Sequence, residues 1–315
     1  MTDTDAISKM VSPGQLRAGK PHGGILQIWI TRACEGTCYN CTQGSHLAGH
    51  SGFMDLHNFD TACSSLQDYF GVVGMFGGNP PLNPQFPELC EIMRRRIPYA
   101  RRGIWTSHPR GQGAIMRQTF NPAVSNVNVH MDLEAYQEFK RDWPECNPVG
   151  LHNDSRHSPP WIALIDLDIY RNDEEARWQK IIDCDINRDW SAMICLVRGQ
   201  LRAYFCEIAG AQAILHQDDP NWPIVGLPVE HGWWKRPITD FREQILWHCH
   251  RCGIPLRARG ELARAKNGVE QVSRTHLDVY RLKVPSRRLQ IVDSYKQLGP
   301  DFLARMTDYL NNSTE

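Results

Sequence analysis

The sequence predicts an α/β fold: a partial barrel of parallel strands with crossover helices, followed by a small hairpin-plus-helix unit. Two observations predict it. Over residues 25–183, short apolar runs rich in β-branched and aromatic residues alternate with longer runs at helical spacing, the β-α-β-α order of a parallel sheet. Near residue 184 the pattern changes to two strand-like runs around a glycine-containing turn, the signature of a hairpin. With 315 residues, the chain has the length for one large domain and an appendage.

Residues 1–23 carry Pro, Gly and small polar residues with little periodicity and read as an irregular, peripheral arm. The barrel is expected over 24–183. Its strands are ILQIWI (25–30), VVGMFGG (72–78), RGIWTSH (102–108), SNVNVHM (125–131) and WIALIDLDIY (161–170). Its helices are FDTACSSLQDYF (59–70), PELCEIMRRRI (87–97), GAIMRQTF (113–120), AYQEFKR (135–141) and EEARWQKIID (174–183), the last with Trp178, Ile181 and Ile182 at core spacing. A second unit is expected over 184–262, opened by the hairpin SAMICLVRG (191–199) and LRAYFCEIA (201–209). It continues through the Trp- and Pro-rich NWPIVGLPVEHGWWKRP (221–237) into the helical DFREQILWHCH (240–250). Residues 263–315 form an extension whose helical SYKQLGPDFLARMTDYL (294–310) is interrupted at Gly299-Pro300.

The 35 basic and 35 acidic residues cancel, so no excess field draws the chain to nucleic acid or to an anionic membrane. No apolar run approaches the ~18 residues of a membrane span. The N-terminus MTDTDAISKM lacks the basic start and apolar stretch of a signal peptide, so a cytoplasmic protein is expected. Eleven cysteines in a reducing compartment then point to metal ligation, because disulfides do not persist there.

Cys34, Cys38 and Cys41 follow the first strand at C-x3-C-x2-C spacing, in TRACEGTCYNCTQG (31–44). Thiolates this close along one loop can converge on one cluster, and sulfur suits iron–sulfur and zinc sites. A closed zinc site wants four ligands, and the only nearby candidates for the fourth are His46 and His50. Three thiolates on a four-iron cluster leave one iron open to a substrate or cofactor. In this the sequence resembles the radical S-adenosylmethionine (radical SAM) superfamily, whose signature is this loop after the first strand of a partial, TIM-like (β/α)6 barrel. The resemblance implies a [4Fe-4S] cluster on Cys34, Cys38 and Cys41 that chelates SAM. It also implies one-electron reduction by an external reductant such as flavodoxin or ferredoxin, giving a 5′-deoxyadenosyl radical that removes a hydrogen atom from substrate.

Gly77-Gly78-Asn79-Pro80, at the end of the second strand, resembles the GGEP-like segment that contacts the SAM amino group in that superfamily, with Asn79 in place of the usual Glu. Glycines there permit close backbone approach. The Asn79 carbonyl can accept from an ammonium without charge assistance. A second departure is Asn40 before the last cysteine, where the superfamily often has an aromatic; here Tyr39 stands one place earlier. Polar residues at later strand ends, Thr106, Ser107, His108, Asn128, His130 and Asp132, belong to the end of the barrel where sites are built, and Thr106, Ser107, Asn128 and His130 are the candidates for SAM contacts.

Cys184, Cys206 and the C-x2-C pair Cys249 and Cys252 can form a four-thiolate site, for a cluster or for zinc by spacing alone. The order resembles the SPASM/twitch domains of radical SAM enzymes, which carry an auxiliary [4Fe-4S] cluster, although six residues separate Gly199 from Cys206 where twitch sequences usually have four. Cys195, inside the hairpin, can replace Cys249 as fourth ligand; whichever is free is a candidate hydrogen donor, Cys249 first. Cys63, Cys90 and Cys146 read as core or incidental.

The whole pattern resembles twitch-type radical SAM epimerases of sugars and aminoglycosides, of the neomycin C epimerase type. The resemblance implies a small carbohydrate substrate inverted at one carbon, with a cysteine thiol returning hydrogen. Carboxylates such as Asp132, Asp166, Asp168, Glu207 and Glu261 are candidates for hydroxyls or ammonium groups, and the tryptophans of 221–237 for a sugar face or, equally, for packing beneath a long loop. A radical SAM dehydrogenase, a peptide-modifying twitch enzyme and a zinc-stabilised binding protein are the alternatives.

Overall fold

The computed structural model describes residues 1–16, 24–35, 41–45, 52–151, 164–166, 168–256, 269–272 and 288–291. In chain order the helices are α1 (Asp3–Ser8), α2 (Leu56–Ser65), α3 (Phe86–Arg96), α4 (Gly113–Thr119), α5 (Leu133–Asp142), α6 (Asp168–Arg171), α7 (Glu174–Ile182), α8 (Glu207–Leu215) and α9 (Arg242–His248). The strands are β1 (Ile25–Thr31), β2 (Val72–Gly77), β3 (Arg102–Thr106), β4 (Asn126–Val127), β5 (Ser191–Val197), β6 (Gln200–Tyr204), β7 (Leu227–Pro228), β8 (Val269–Val272) and β9 (Arg288–Ile291).

Seven strands form one mixed sheet in the order β4-β3-β2-β1-β5-β6-β7. β1 to β4 are parallel, β5 is parallel to β1, and β6 and β7 are antiparallel additions. This sheet thus has five parallel strands among the described residues. The hairpin β5–β6, which the sequence placed in a unit starting at residue 184, extends the same sheet through β1. β8 and β9 form a separate parallel pair.

Helix starts follow local chemistry. Asp55, Asp132 and Asp173 cap α2, α5 and α7 by accepting from Asn58, Ala135 and Ala176 backbone N–H groups. α3 begins with Pro87 and Glu88 and ends with Arg94, Arg95 and Arg96, charges of the sign that each end of the helix dipole favours.

Three sequence expectations are corrected. The run 161–170 is no strand where described: Leu164–Asp166 is a 3-10 turn and Asp168–Arg171 is α6. A short apolar run does not separate strand from helix, and β5 takes the place beside β1. The second hairpin strand stops at Tyr204, and α8 starts at Glu207. Every residue of α8 is buried, so the helix has no polar face and its sequence shows no 3.6 period. Finally, the first sixteen residues are not an irregular peripheral arm. Thr2 and Asp5 form a capping box at α1, and Ala6, Ile7, Met10 and Leu16 are buried.

β1 is buried along its whole length, and alternation divides it between two faces. Leu26, Ile28 and Ile30 share one face. Gln27, Trp29 and Thr31 share the other, where Gln27 is level with Gly74 on β2 and Met193 on β5. α8 lies over this second face: a Cβ on Gly210 would come within 2.2 Å of Met193 Cε and 3.5 Å of Cys195 Sγ. No helix among the described residues is long and apolar enough to cross a membrane.

On the surface, Asp60 ties α2 to α3 by accepting from Arg96 at 2.7 and 2.8 Å and from Arg95 at 3.0 Å. The Arg96 guanidinium, and Arg95 after it, hold the Asp60 carboxyl at about 2, below the usual 3.8. Because the folded value is depressed, this contribution is present above 3.8 and is lost as pH falls toward 2. Asp60→Asn is therefore expected to destabilise by about 0.5–1 kcal/mol at neutral pH, an effect that vanishes near pH 2 in denaturant titrations.

Candidate active site

The site begins where β1 ends. Cys34 and Cys41 are partly exposed and line one cavity of about 220 Å³. Cys38 lies outside the described residues, as do Tyr39, Asn40, His46 and His50. Gly77 and Gly78 form part of the same wall, and the backbone stitches them to the cysteine loop: Gly78 N–H donates to Thr31 O at 2.9 Å and Asn79 N–H to Ala33 O at 2.7 Å. Glycine is required twice over. Gly77 has φ +148°, and a Cβ on Gly78 would lie 2.1 Å from Ala33 O and 2.9 Å from Cys34 Cβ.

Asn79 and Pro80 do not line the cavity. Asn79 is fully buried, and its amide is committed to protein partners: Oδ1 accepts from Thr106 Oγ1 at 2.6 Å, while Nδ2 donates to Glu35 Oε1 at 3.2 Å and His108 O at 3.0 Å. Glu35, beside Cys34, also pairs with Arg110. Asn79 thus braces the cysteine loop against the end of β3.

Thr106, Ser107, Asn128 and His130 all line the cavity. Asn128 Oδ1 accepts from the His130 backbone N–H at 3.1 Å, across a turn in which His130 and Met131 both have positive φ. Asp132 is spent as the cap of α5. Phe76, Trp105, Trp190, Gln27 and Glu207 also line the cavity. Sequence reasoning did not single out Gln27, Trp105 or Trp190; the available signal was a lone amide inside the apolar run ILQIWI.

Glu207 is 4 % exposed, and its Oε2 accepts from Gln27 Nε2 at 2.6 Å and from Ser191 Oγ. Burial raises its carboxyl to about 7 against the opposing effect of those two bonds. Residue 206, its neighbour, belongs to a second cavity.

That second cavity, about 20 Å³, is lined by Cys184, Cys206, Cys249 and Cys252 together with Met10 and His248. Burial pushes the Cys206, Cys249 and Cys252 thiols up, and the nearby sulfurs of the set push them further. Four thiols at one cavity, three of them held protonated by burial and by neighbouring sulfurs, suit a cationic centre, which would supply the charge that thiolates need. Among the described residues no group of three or more His, Cys, Asp or Glu is arranged to hold a single metal ion. Cys195 stands apart: it is fully buried, lines neither cavity, packs with Sγ 4.0 Å from Gly210 O, and is raised by burial alone. His248 Nδ1 lies 2.9 Å from Gln212 Oε1, and burial lowers its imidazole to about 3, so it is neutral at pH 7.

Cys63, Cys90 and Cys146 are buried in the core. Trp222, Trp233 and Trp234 are buried and line neither cavity; Trp222 stacks on His216 at 3.7 Å, and Trp234 meets Tyr69 edge-on at 5.1 Å. These tryptophans are packing, not a sugar platform. The side chains of Asp166 and Asp168, and all of Glu261, lie outside the described residues.

No known protein family matches the chain, and no curated protein does. Two solved structures are similar to it in part. One is BtrN in complex with AdoMet and 2-DOIA, at 15% identity over 73% of this chain and 92% of that one, with a TM-score of 0.41. The other is selenomethionine BtrN in an open conformation, at 18% identity over 72% and 87%, also with a TM-score of 0.41.

Proposed function

We propose that this chain is a radical SAM enzyme acting on a small carbohydrate, with Cys34, Cys38 and Cys41 holding a [4Fe-4S] cluster open at one iron. The observation that carries the reading is a single cavity joining Cys34 and Cys41 to the Gly77-Gly78 pair and to the polar ends of β3 and β4. When reduced, the cluster and SAM together supply a 5′-deoxyadenosyl radical able to take hydrogen from a C–H bond. Gly77 and Gly78 bring bare backbone to the cavity that Cys34 and Cys41 line, where SAM would be held. Thr106, Ser107, Asn128 and His130 offer hydrogen bonds to SAM, and the aromatic walls exclude water.

Cys184, Cys206 and Cys252, with Cys249 or Cys195 as fourth, would hold an auxiliary [4Fe-4S] cluster. In the epimerase reading Cys249, the more accessible member of its C-x2-C pair, is left unligated and gives its S–H hydrogen to the opposite face of the substrate carbon; one electron and one proton then restore the thiol. A second reading, dehydrogenation, is favoured by the meeting of all four thiols at one cavity with Cys195 outside it. With all four ligating, no thiol at that cavity would be left to return hydrogen and Cys195 lies outside it, so an auxiliary cluster held there would supply an acceptor for the substrate radical's electron, with its proton lost to solvent.

Anaerobic iron and sulfide analysis tests the whole reading: about eight irons support it, and zinc without iron sinks it. Incubation with SAM, reductant and candidate aminoglycosides in D2O separates the outcomes. Solvent deuterium at an inverted carbon marks epimerisation; a product two hydrogens lighter marks dehydrogenation. Cys249→Ala is expected to leave SAM cleavage intact and stop inversion, whereas Cys195→Ala is expected to leave both and cost about 1 kcal/mol of stability.

A further inference from the structure

Gln27 occupies the middle of a strand that is buried throughout, and it is 1 % exposed. Burying an unbonded amide atom forfeits its hydrogen bonds to water, so such a residue needs partners. Its Nε2 has one in Glu207, but its Oε1 has none among the described residues. Both bonds to Glu207, from Gln27 and Ser191, end on Oε2, and no described residue donates to its Oε1. Gln27 and Glu207 both line the large cavity.

Charge is one-sided there. Among the described lining residues Glu207 is the single acid, and none is Lys or Arg. Two unused acceptor oxygens, one on a carboxyl group, suit a group with several donors and a positive charge, and an ammonium has three N–H donors and no acceptor. Trp105 and Trp190 provide apolar walls for the ring that bears it.

We infer that Gln27 and Glu207, with Ser191 orienting the carboxyl group, form a subsite for a substrate ammonium, so that the ligand class is an amino-bearing cyclitol or sugar. The inference rests on the small-carbohydrate reading above. Cys206 precedes Glu207 and lines the second cavity, so this subsite adjoins the second thiol set.

The test is binding, scored apart from radical chemistry. Titration calorimetry on the full-length protein, with and without SAM, compares streptamine, a cyclitol with two amines, against scyllo-inositol, the same ring with hydroxyls in their place. Streptamine is expected to bind at least ~10-fold more tightly, about 1.4 kcal/mol. Glu207→Gln keeps the side-chain shape and is expected to erase that preference while leaving SAM affinity unchanged. Gln27→Leu, which removes the other acceptor, is expected to weaken streptamine as well and serves if Glu207→Gln does not fold. Equal affinity for the two cyclitols, or a preference that survives the substitutions, overturns the subsite. Loss of iron and SAM cleavage with the streptamine preference intact overturns the radical reading alone.

Discussion

Alanine in place of Cys34 is expected to remove the first cluster and all SAM cleavage while the protein still folds. Cys34 sits at the cavity edge, partly exposed and outside the apolar core, so its truncation leaves no large internal void. Two thiolates cannot replace three at the proposed cluster, whose remaining iron would be reserved for SAM. Iron content should fall by about four atoms, 5′-deoxyadenosine should disappear from chromatograms, and the thermal midpoint should stay within a few degrees of the parent. Undiminished iron with continued SAM cleavage would contradict the assignment. The same substitution at Cys206, which is buried among the second set, is expected to remove the other four irons and to destabilise the protein as well.

The second large effect is expected from Gly78→Ala, a change of one methyl group. That methyl would stand 2.1 Å from Ala33 O and 2.9 Å from Cys34 Cβ, where neither neighbour is the loose end of a flexible side chain. The backbone must move, and it is tied: Gly78 N–H to Thr31 O and Asn79 N–H to Ala33 O. Overpacking of this kind costs about 1–3 kcal/mol. Here the displacement falls on the residues that carry Cys34 and on the glycine segment proposed to contact SAM. SAM cleavage should drop at least tenfold with the second cluster intact, which iron counting and 5′-deoxyadenosine yield together can establish. A variant with unchanged yield would mean that the glycine pair serves the turn and not the site.

These two predictions come from different kinds of information. The C-x3-C-x2-C loop and the glycine pair are legible in sequence because ligand spacing and close backbone approach are local properties. The strands β1, β2, β3 and β5 and the helices α3, α5 and α7 are also legible, since each has an apolar pattern or cap within its own residues. α8 was misread because complete burial erases the period that identifies a helix. Gln27 went unnoticed because a strand buried on both faces gives no alternation to mark the inward side.

By itself the sequence determined where the first cysteine loop lies and that its three thiols are close enough along the chain to share one centre. Only the tertiary structure decided that Gly78 abuts Cys34, that Cys184 and Cys206 meet Cys249 and Cys252 while Cys195 does not, and that Glu207 bonds Gln27. The reason is physical: spacing along a loop follows from bond geometry. Meetings between distant segments depend on which strands pair and how closely a small-residue helix packs on them, energies that belong to the whole chain.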